Sequence, residues 1–499
     1  MAERRFAAVD LGAQTGRVAV GRFDGDRVRL EIAHRFANEP VWLPDGLHWN
    51  LLSLFADTLD GLALAASAGE LDGVGVDSWG CDYALLDRDH RALGLPYHYR
   101  DPGRASTESM ERAFARVGRH ELYMRTGIQT MPINTVFQLV SESGGAAARA
   151  AQRIAMIPDL FGLWLTGTLA NELTVASTTG LLEAAGTGWA RDLVERLGIP
   201  PRPFDGEVAA PGVELGPILA DHAAADRAAG TVVRTVAGHD TACAYAATPG
   251  LGPGVAVLSS GTWSLLGVEL LEPLLGPDAE AFNLTNERGL DGTVRLLRNV
   301  MGMWLVEQSR REFARSAPSY DELFSEAAAA PPEVPLFDPD AGSLLHPGAM
   351  TGRLAALYAD AGEEPPADRG ALIRSILVSL ACKYRLVLER LESATGRRIE
   401  CLSVVGGGSR NELLCQVTAD ILGREVLAGP AEATLLGNVL VQLAATGEVA
   451  TLAEMRELSR RSFALKQYTP SAGSGGESTY QRFLDVTDLT AGHAVKTGV

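Results

Sequence analysis

Basic charge is in short supply in this chain. Its 499 residues include 44 Lys and Arg against 62 Asp and Glu, which leaves a formal net charge of −18 at pH 7. Nucleic acids and anionic membranes are bound through basic surfaces, so we expect neither as a partner. A small anion is still allowed, because backbone amides, a metal ion and one or two Arg side chains can hold it locally.

Cysteine is also scarce. The five cysteines are an odd number, and no CxxC or CxxxH spacing occurs. This pattern argues against a disulfide framework or a zinc site and fits a reducing compartment, so we expect a cytoplasmic protein. We expect neither a signal peptide nor a membrane span, because residues 1–6 lead straight into a strand pattern and no apolar run is long enough.

The remaining composition is ordinary for a soluble globular protein, with 46% hydrophobic and 21% charged residues. A chain of 499 residues is too long for one core, and the Gly-rich turn at residues 250–254 is a candidate boundary. We therefore expect an N-terminal domain over residues 1–248, a C-terminal domain over residues 249–465 and a peripheral polar tail over residues 466–499.

Near the N-terminus, a polar turn at residues 12–16 lies between an apolar run and an alternating run. A plain β-hairpin explains this pattern. The alternative is a phosphate cradle, in which glycines expose backbone N–H groups, Thr15 adds a hydroxyl and Arg17 adds charge. Asp10 ends the apolar run and suits Mg²⁺ held through water, because this ion prefers few carboxylates and several waters.

The same layout returns after the candidate boundary, where the turn Ser-Ser-Gly-Thr at residues 259–262 separates two apolar runs. The repeat indicates two related lobes, each of which brings one hairpin to a shared cleft. Further on, three glycines at residues 406–408 follow a strand pattern and precede a helix pattern. Such a turn lets a flat ring or a phosphate approach the backbone.

Two other strand ends carry polar side chains. Trp79, Asp77 and Asp82 form a plausible sugar-facing set, although a Trp that fills the edge of a sheet explains them equally well. Between an apolar run at residues 232–237 and an Ala-rich helix pattern lie Gly238, His239, Asp240 and Thr241. Taken alone, Asp240 is more typical of a helix cap than of a general base, and both interpretations remain open at this point.

In their order along the chain, these segments resemble the FGGY family of carbohydrate kinases, within the actin-like ATPase superfamily. The motifs are VDLGAQTGR at 9–17, AGHDTA at 237–242, SSGTWS at 259–264 and VVGGGSRN at 404–411. The resemblance covers nearly the whole chain. It implies an α/β fold in which two actin-like (RNase H-like) domains flank a catalytic cleft. It also implies ATP-dependent phosphorylation of a ketose with Mg²⁺, and it leaves open whether the chain is a monomer or a homodimer.

The resemblance implies a role for each matching residue. Residues that would meet the ATP phosphates are Ala13, Gln14, Thr15, Gly16, Arg17 and Thr262. Glu307 and Gly407 would lie near the nucleoside. Residues that would contact the ketose are Gly80, His239, Asp240, Thr241 and Asn299. Asp240 would accept the proton of the reacting hydroxyl, and Asp10 would hold magnesium through water.

One position departs from the family pattern. The family pattern that the chain resembles implies Gln at the position where this chain has Glu307. A carboxylate there can accept from ribose hydroxyls but would repel a phosphate.

Other classes fit the motifs less well. A non-catalytic sugar or nucleotide sensor on the same fold is disfavoured by the joint presence of Asp10, Thr15, Asp240 and Thr262. A P-loop enzyme would need GxxxxGK[S/T], and a Rossmann dehydrogenase would need GxGxxG after the first strand, and neither motif occurs.

Overall fold

Two β-sheets of unequal size organise the computed structural model, which describes residues 3–222, 227–313 and 317–489. The strands of these sheets and of three small two-stranded ribbons are, in chain order, β1 Arg4–Leu11, β2 Thr15–Phe23, β3 Val28–Ala37, β4 Val41–Leu43, β5 Gly46–His48, β6 Gly73–Ser78, β7 Tyr83–Leu86, β8 Arg153–Met156, β9 Asn171–Glu172, β10 Val208–Ala209, β11 Glu214–Pro217, β12 Val232–His239, β13 Val255–Ser260, β14 Trp263–Leu270, β15 Thr285–Arg288, β16 Val294–Met301, β17 Cys401–Val405, β18 Glu425–Ala428 and β19 Lys466–Tyr468.

Helices cover the sheets and connect their strands. They are α1 Leu51–Ser67, α2 Thr107–Arg116, α3 Arg119–Thr126, α4 Thr135–Glu142, α5 Ala146–Ala150, α6 Ile157–Thr166, α7 Leu173–Ala176, α8 Arg191–Arg196, α9 Asp240–Ala246, α10 Pro277–Ala281, α11 Trp304–Phe313, α12 Tyr320–Ala329, α13 Met350–Asp360, α14 Arg369–Thr395, α15 Glu412–Leu422, α16 Ala433–Ala445, α17 Leu452–Ser462 and α18 Gly476–Thr487.

The N-terminal sheet has the strand order β11-β12-β6-β1-β2-β3. β1, β2 and β3 form an antiparallel meander, and β6 and β12 run parallel to β1. The parallel strands are almost wholly buried, as expected for strands with both faces covered. Because their carboxyl ends share one edge of the sheet, Asp10, Asp77 and His239 come together there.

The C-terminal sheet, β15-β16-β14-β13-β17-β18-β19, repeats this plan. β13, β14 and β16 form an antiparallel meander, and β17 and β18 run parallel to β13. The predicted arrangement of two related α/β lobes, each with a hairpin at its centre, is therefore present.

Two helices lie between the sheets. α9 follows the last long strand of the N-terminal sheet, and α16 belongs to the C-terminal part of the chain but packs on α9, β1, β6 and β12. The two helices approach so closely that a Cβ at Gly437 would lie 1.9 Å from the carbonyl oxygen of Cys243. Gln442 of α16 also donates to the carbonyl of Ala7 in β1, 3.0 Å away.

Residues 466–489, which fall within the predicted peripheral tail, add a strand and a helix to the C-terminal part of the structure. β19 extends the C-terminal sheet beside β18, and α18 buries Tyr480 and Phe483. These two aromatics are three residues apart, so they share one helix face that the polar composition of the segment conceals. Residues 490–499 of the predicted tail lie outside the described residues.

A search of the described helices for one long and apolar enough to span a membrane finds none.

Candidate active site

A cavity of about 700 Å³ lies between the two sheets and receives residues from both. Its walls contain most of the residues for which the sequence predicts a role. The predicted residues that line it are Asp10, Ala13, Gln14, Thr15, Arg17, Gly80, His239, Asp240, Thr241, Thr262, Asn299 and Gly407.

Asp240 is the first residue of α9, whereas His239 occupies the capping position and makes no side-chain cap bond. Asp240 Oδ1 accepts from the backbone N–H of Thr241 and from the Thr241 hydroxyl, the latter at 3.0 Å. No donor among the described residues reaches Oδ2. The interpretation as a helix cap is therefore wrong in its usual form, and one carboxylate oxygen is left for a hydroxyl in the cavity.

His239 is held from behind by an ion pair. Arg295 Nη1 lies 3.1 Å from His239 Nδ1 and 3.2 Å from a carboxylate oxygen of Glu287. His239 Nδ1 also lies 3.3 Å from a carboxylate oxygen of Glu287, and Nε2 is the nitrogen on the other side of the ring. That Nε2 faces Asp240 Oδ1 at 3.4 Å. The histidine thereby orients the carboxylate without taking up the face that is left open.

Glu287 itself lines the cavity and is buried. Burial opposes its ionisation, but Arg295 and then His239 outweigh that effect and hold the pKa of Glu287 below its ordinary value. Nearby, Gln129 fixes the last predicted sugar contact, because its Oε1 accepts from the backbone N–H of Asn299 at 2.8 Å and from the Asn299 amide at 3.2 Å.

Carboxylates gather at the edge of the N-terminal sheet. Asp10 on β1 is in register with Asp77 on β6 and with Arg17 on β2, and it forms an ion pair with Arg17. Burial raises the pKa of Asp10, Arg17 opposes the rise, and the charge of Asp240 adds to it. Burial and the charge of Asp10 raise the pKa of Asp77 well above its ordinary value. A cation here would offset this crowding of negative charge.

These residues fit a magnesium ion that keeps most of its water. Asp77 Oδ2 accepts from Asn438 at 2.7 Å, whereas Asp77 Oδ1 is buried and has no hydrogen-bond partner. Hard carboxylate oxygens of this kind are suitable ligands for Mg²⁺, which is commonly bound by one or two carboxylates, waters and phosphates. In the described parts of the chain, no three His, Cys, Asp or Glu side chains form a ready-made metal cage.

Each hairpin turn is fastened from outside. The first is tied to Asn38, whose amide donates to the carbonyl of Gly12 at 2.9 Å. The second receives the backbone N–H groups of Met303 and Trp304, which donate to Gly261 and Thr262 at 3.0 and 3.2 Å. The turns are thus rigid platforms for oxygens, as backbone phosphate cradles require.

The triple-glycine turn abuts the second hairpin. Gly406 has a φ of 81°, which favours glycine, and a Cβ at Gly408 would lie only 1.9 Å from the hydroxyl oxygen of Ser260. A Cβ at Gly407 would meet no atom within 4 Å. Gly407 therefore presents bare backbone to the cavity, while Gly408 allows the two turns to pack.

Three guanidinium groups surround one carboxylate at the cavity wall. Arg17 forms an ion pair with Glu432, and Arg35 and Arg410 reach its Oε1 at 3.2 and 2.9 Å. Arg17 and Arg35 come from the N-terminal sheet, whereas Arg410 and Glu432 come from the C-terminal part of the chain. Arg17 also pairs with Asp10, so the surplus of positive charge at this wall comes from Arg35 and Arg410, and it is suited to a polyphosphate.

The proposed sugar-facing set is only partly correct. Trp79 lines the cavity, but Asp82 lies behind it and accepts from the indole N–H groups of Trp49 at 2.6 Å and Trp79 at 2.9 Å. Gln138 donates to its other oxygen at 3.2 Å. Asp82 therefore fixes the aromatic wall rather than touching a ligand, and Asp77 belongs to the carboxylate edge described above.

Two predicted contacts do not reach the cavity. Gly16 is buried against Phe36, whose ring a Cβ would overlap at 2.0 Å. Glu307 is buried and its carboxylate is occupied by Arg310 at 2.7 Å, Arg311 at 2.7 Å and the Tyr320 hydroxyl at 2.7 Å. Tyr320 lines the cavity, so Glu307 supports that wall from behind.

Several cavity residues have no sequence prediction, namely Arg35, Gln129, Glu287, Arg410 and Glu432. The pairing of Glu287 with Arg295 depends on β15 lying beside β16, which a single sequence does not reveal. Arg410 was within reach, because it lies two residues after the glycine turn.

Comparison with known proteins identifies relatives that match both the N-terminal and the C-terminal part of the chain. Models of the N-terminal and C-terminal domains of the FGGY family of carbohydrate kinases match residues 7–246 and 256–446. A rhamnulokinase of Bacteroides thetaiotaomicron is 39% identical over 484 residues, which cover 96% of this chain and 99% of the relative. A rhamnulokinase of Bacillus subtilis is 34% identical, covering 93% of this chain and 95% of the relative.

Solved structures agree on the architecture. A gluconate kinase from Lactobacillus acidophilus superposes with a TM-score of 0.78 at 15% identity, covering 99% of both chains. A glycerol kinase from Plasmodium falciparum, solved with ADP, superposes with a TM-score of 0.74 at 15% identity, covering 98% of this chain and 99% of that chain. These likenesses show the fold, and the sequence matches show the family: the chain belongs to the FGGY family of carbohydrate kinases.

Proposed function

We propose that this protein transfers the γ-phosphoryl group of ATP to the 1-hydroxyl of L-rhamnulose, giving L-rhamnulose 1-phosphate and ADP. The observation that carries the proposal is the position of Asp240. It stands at the seam of two lobes, between two fastened phosphate hairpins, with one carboxylate oxygen open to the cavity. The choice of sugar rests on the relatives named rhamnulokinase, which align over more than 90% of the chain.

In the proposed reaction, Asp240 accepts a hydrogen bond from the 1-hydroxyl of the sugar. This bond directs the oxygen of that hydroxyl at the γ-phosphorus of ATP. Phosphoryl transfer passes through a loose transition state, so the hydroxyl proton leaves late and an ordinary carboxylate is a sufficient base. His239 and Thr241 hold Asp240 in place, and Trp79, Gly80 and Asn299 shape the sugar side of the cavity.

On the nucleotide side, we assign the phosphates to the turn at Ala13, Gln14 and Thr15, to Arg17 and to Thr262. The nucleoside then lies against Gly407. Asp10 and Asp77 would hold the magnesium ion, which supplies positive charge to offset the charge that develops on the phosphoryl oxygens. We place ketose binding and the first phosphate turn in the domain over 1–248, nucleotide binding in the domain over 249–465, and the protein in the cytoplasm.

Kinases for L-fuculose or D-xylulose share this chemistry and are the nearest alternatives. A coupled assay of ADP release over a panel of ketoses decides among them. We expect L-rhamnulose to give the highest kcat/KM, with Asp240→Asn as the inactive control. Higher kcat/KM with another ketose would overturn the choice of sugar. Absence of ATP consumption with every ketose would favour a sugar or nucleotide sensor instead.

A further inference from the structure

A second cavity, of about 580 Å³, lies on the N-terminal domain behind the sugar wall. It is bounded by the β4–β5 ribbon, the segment 93–97, β7, and α4 with the chain that follows it. The two cavities share no lining residue. The chain nevertheless passes from one to the other within a few residues, from Cys81 to Tyr83 and from Tyr99 to Tyr97. One thin layer of side chains therefore separates them.

Two arginines with weak internal partners face this second cavity. Arg104 lies over the ring of Tyr97 at 4.0 Å and reaches Ser141 and Glu142 only at 3.5 and 3.9 Å. Arg112 makes one described side-chain bond, to a serine hydroxyl at 3.4 Å. Guanidinium groups bind phosphate strongly because their planar donors match its oxygens in pairs. Arg112 retains most of its donors for such an anion, and Arg104, which also bonds to Tyr97, can add to the charge there.

The remaining walls suit the body of a sugar. Asp45 presents a carboxylate, which accepts from the Tyr97 hydroxyl at 3.0 Å and can also accept from ligand hydroxyls. Leu43, Leu93 and Leu95 give apolar surface for C–H faces. A pocket of this size with a few charged groups and an apolar wall is typical of a small-molecule site.

A short chain of hydrogen bonds joins the two cavities. Gln138 lines the second cavity and donates to Asp82 Oδ1 at 3.2 Å. Asp82 Oδ2 accepts from Trp79, which lines the first cavity, at 2.9 Å. A ligand that draws Gln138 toward itself would loosen Asp82 and shift the indole that shapes the sugar wall.

We propose that the second cavity binds a small sugar phosphate, and that its occupancy alters sugar affinity in the first cavity through Gln138, Asp82 and Trp79. The binding half stands independently, whereas the coupling half rests on the proposed kinase function.

Binding is tested by equilibrium dialysis of the full-length protein with D-glucose 6-phosphate, in the presence of saturating ADP. We expect saturable binding that Arg112→Gln weakens at least tenfold. The matched control is Arg88→Gln, a change in a side chain that is 87% exposed and lines neither cavity, and it should leave binding unchanged. Arg104→Gln gives a second, independent reading. No saturable binding, or binding that neither Arg112→Gln nor Arg104→Gln weakens, would overturn the proposal.

Two probes separate the parts of the ligand. Inorganic phosphate should bind more weakly than D-glucose 6-phosphate, and D-glucose should not bind. Equal affinity for inorganic phosphate would overturn the assignment to a sugar phosphate, because the sugar would then contribute nothing.

Coupling is tested by the KM for L-rhamnulose with and without D-glucose 6-phosphate. We expect KM to change several-fold while kcat stays constant, and Gln138→Met to abolish the change while D-glucose 6-phosphate still binds. An unchanged KM in the parent protein, or a change that survives in Gln138→Met, would overturn the coupling. If the proposed function is wrong, no kinase activity will be found. The dialysis experiment would still test binding to the second cavity, because it does not depend on activity.

Discussion

Among single residues, Asp240 divides its two oxygens between the protein and the cavity. Oδ1 is held by Thr241 and lies 3.4 Å from Nε2 of His239, so its direction is fixed before any substrate arrives. A base that is positioned in advance loses no free energy to reorientation during the reaction.

We therefore expect Asp240→Asn to lower kcat by about 10²–10⁴-fold while the KM for the ketose changes little, because the amide keeps the shape and cannot accept the proton. Steady-state kinetics with L-rhamnulose measures both constants. A kcat near that of the parent protein would remove Asp240 from the role of base.

The protonation state of Asp82, which fixes the aromatic wall of the cavity, depends on pH. Burial raises the pKa of Asp82 to about 7. Hydrogen bonds from the indoles of Trp49 and Trp79, from Gln138 and from a backbone N–H favour the ionised form and oppose this rise, but they are weaker than the effect of burial. The folded pKa lies above that of the unfolded chain. The stabilisation from this group is therefore complete below pH about 4 and is lost as the pH rises through about 7.

We expect the tryptophan fluorescence of the native protein to titrate with a midpoint near pH 7, because two indoles donate to Asp82. In Asp82→Asn this transition should vanish. His98 stacks on Trp49, but burial lowers the pKa of His98 well below its ordinary value, so it does not titrate in this range. A midpoint near 7 that survives in Asp82→Asn would assign the titration to another group.

Among the elements, the contact between the triple-glycine turn and the second hairpin is the tightest at the nucleotide end. A Cβ at Gly408 would collide with Ser260, whereas a Cβ at Gly407 would enter open space. Gly408 is therefore needed for packing, whereas its neighbour Gly407 leaves space for a ligand.

We expect Gly408→Ala to cost about 1–3 kcal/mol of unfolding free energy through overpacking. Gly407→Ala should stay within about 0.5 kcal/mol of the parent protein. In Gly407→Ala, but not in Gly408→Ala, the KM for ATP should rise, because the methyl group added at residue 407 occupies the cavity. Urea unfolding compares the stabilities, and equal losses in the two variants would contradict this division.

The elements also show what the sequence can and cannot predict. Both hairpins, the glycine turn and the Asp240 turn are local patterns of apolar run and polar turn, and each lies where the pattern predicts. Glu287 escaped prediction because its partner lies on a neighbouring strand. For Glu307 the sequence predicts a nucleoside contact, whereas in the structure its carboxylate pairs with Arg310 and Arg311, three and four residues later on the same helix face.

In the molecule as a whole, Arg17 and Arg35 from one sheet meet Arg410 from the other side around the single carboxylate of Glu432. A bound polyphosphate would offset the mutual repulsion of these guanidinium groups and draw the two lobes together.

We expect L-rhamnulose with a non-hydrolysable ATP analogue to reduce the radius of gyration measured by small-angle X-ray scattering. Either ligand alone should give a smaller change. The Asp240→Asn variant should still contract, because it keeps both binding sites. An unchanged radius with both ligands would exclude lobe closure.

The packing of α16 on the N-terminal sheet has a consequence for the making of the protein. Roughly 190 residues separate the end of α9 from the start of α16, which a ribosome adds in roughly 10–40 s. During that interval the buried faces of β1, β6 and α9 lack their covering helix, and Asp77 lacks Asn438. The N-terminal half of the nascent chain therefore keeps apolar surface exposed until α16 has been synthesised and packs on it.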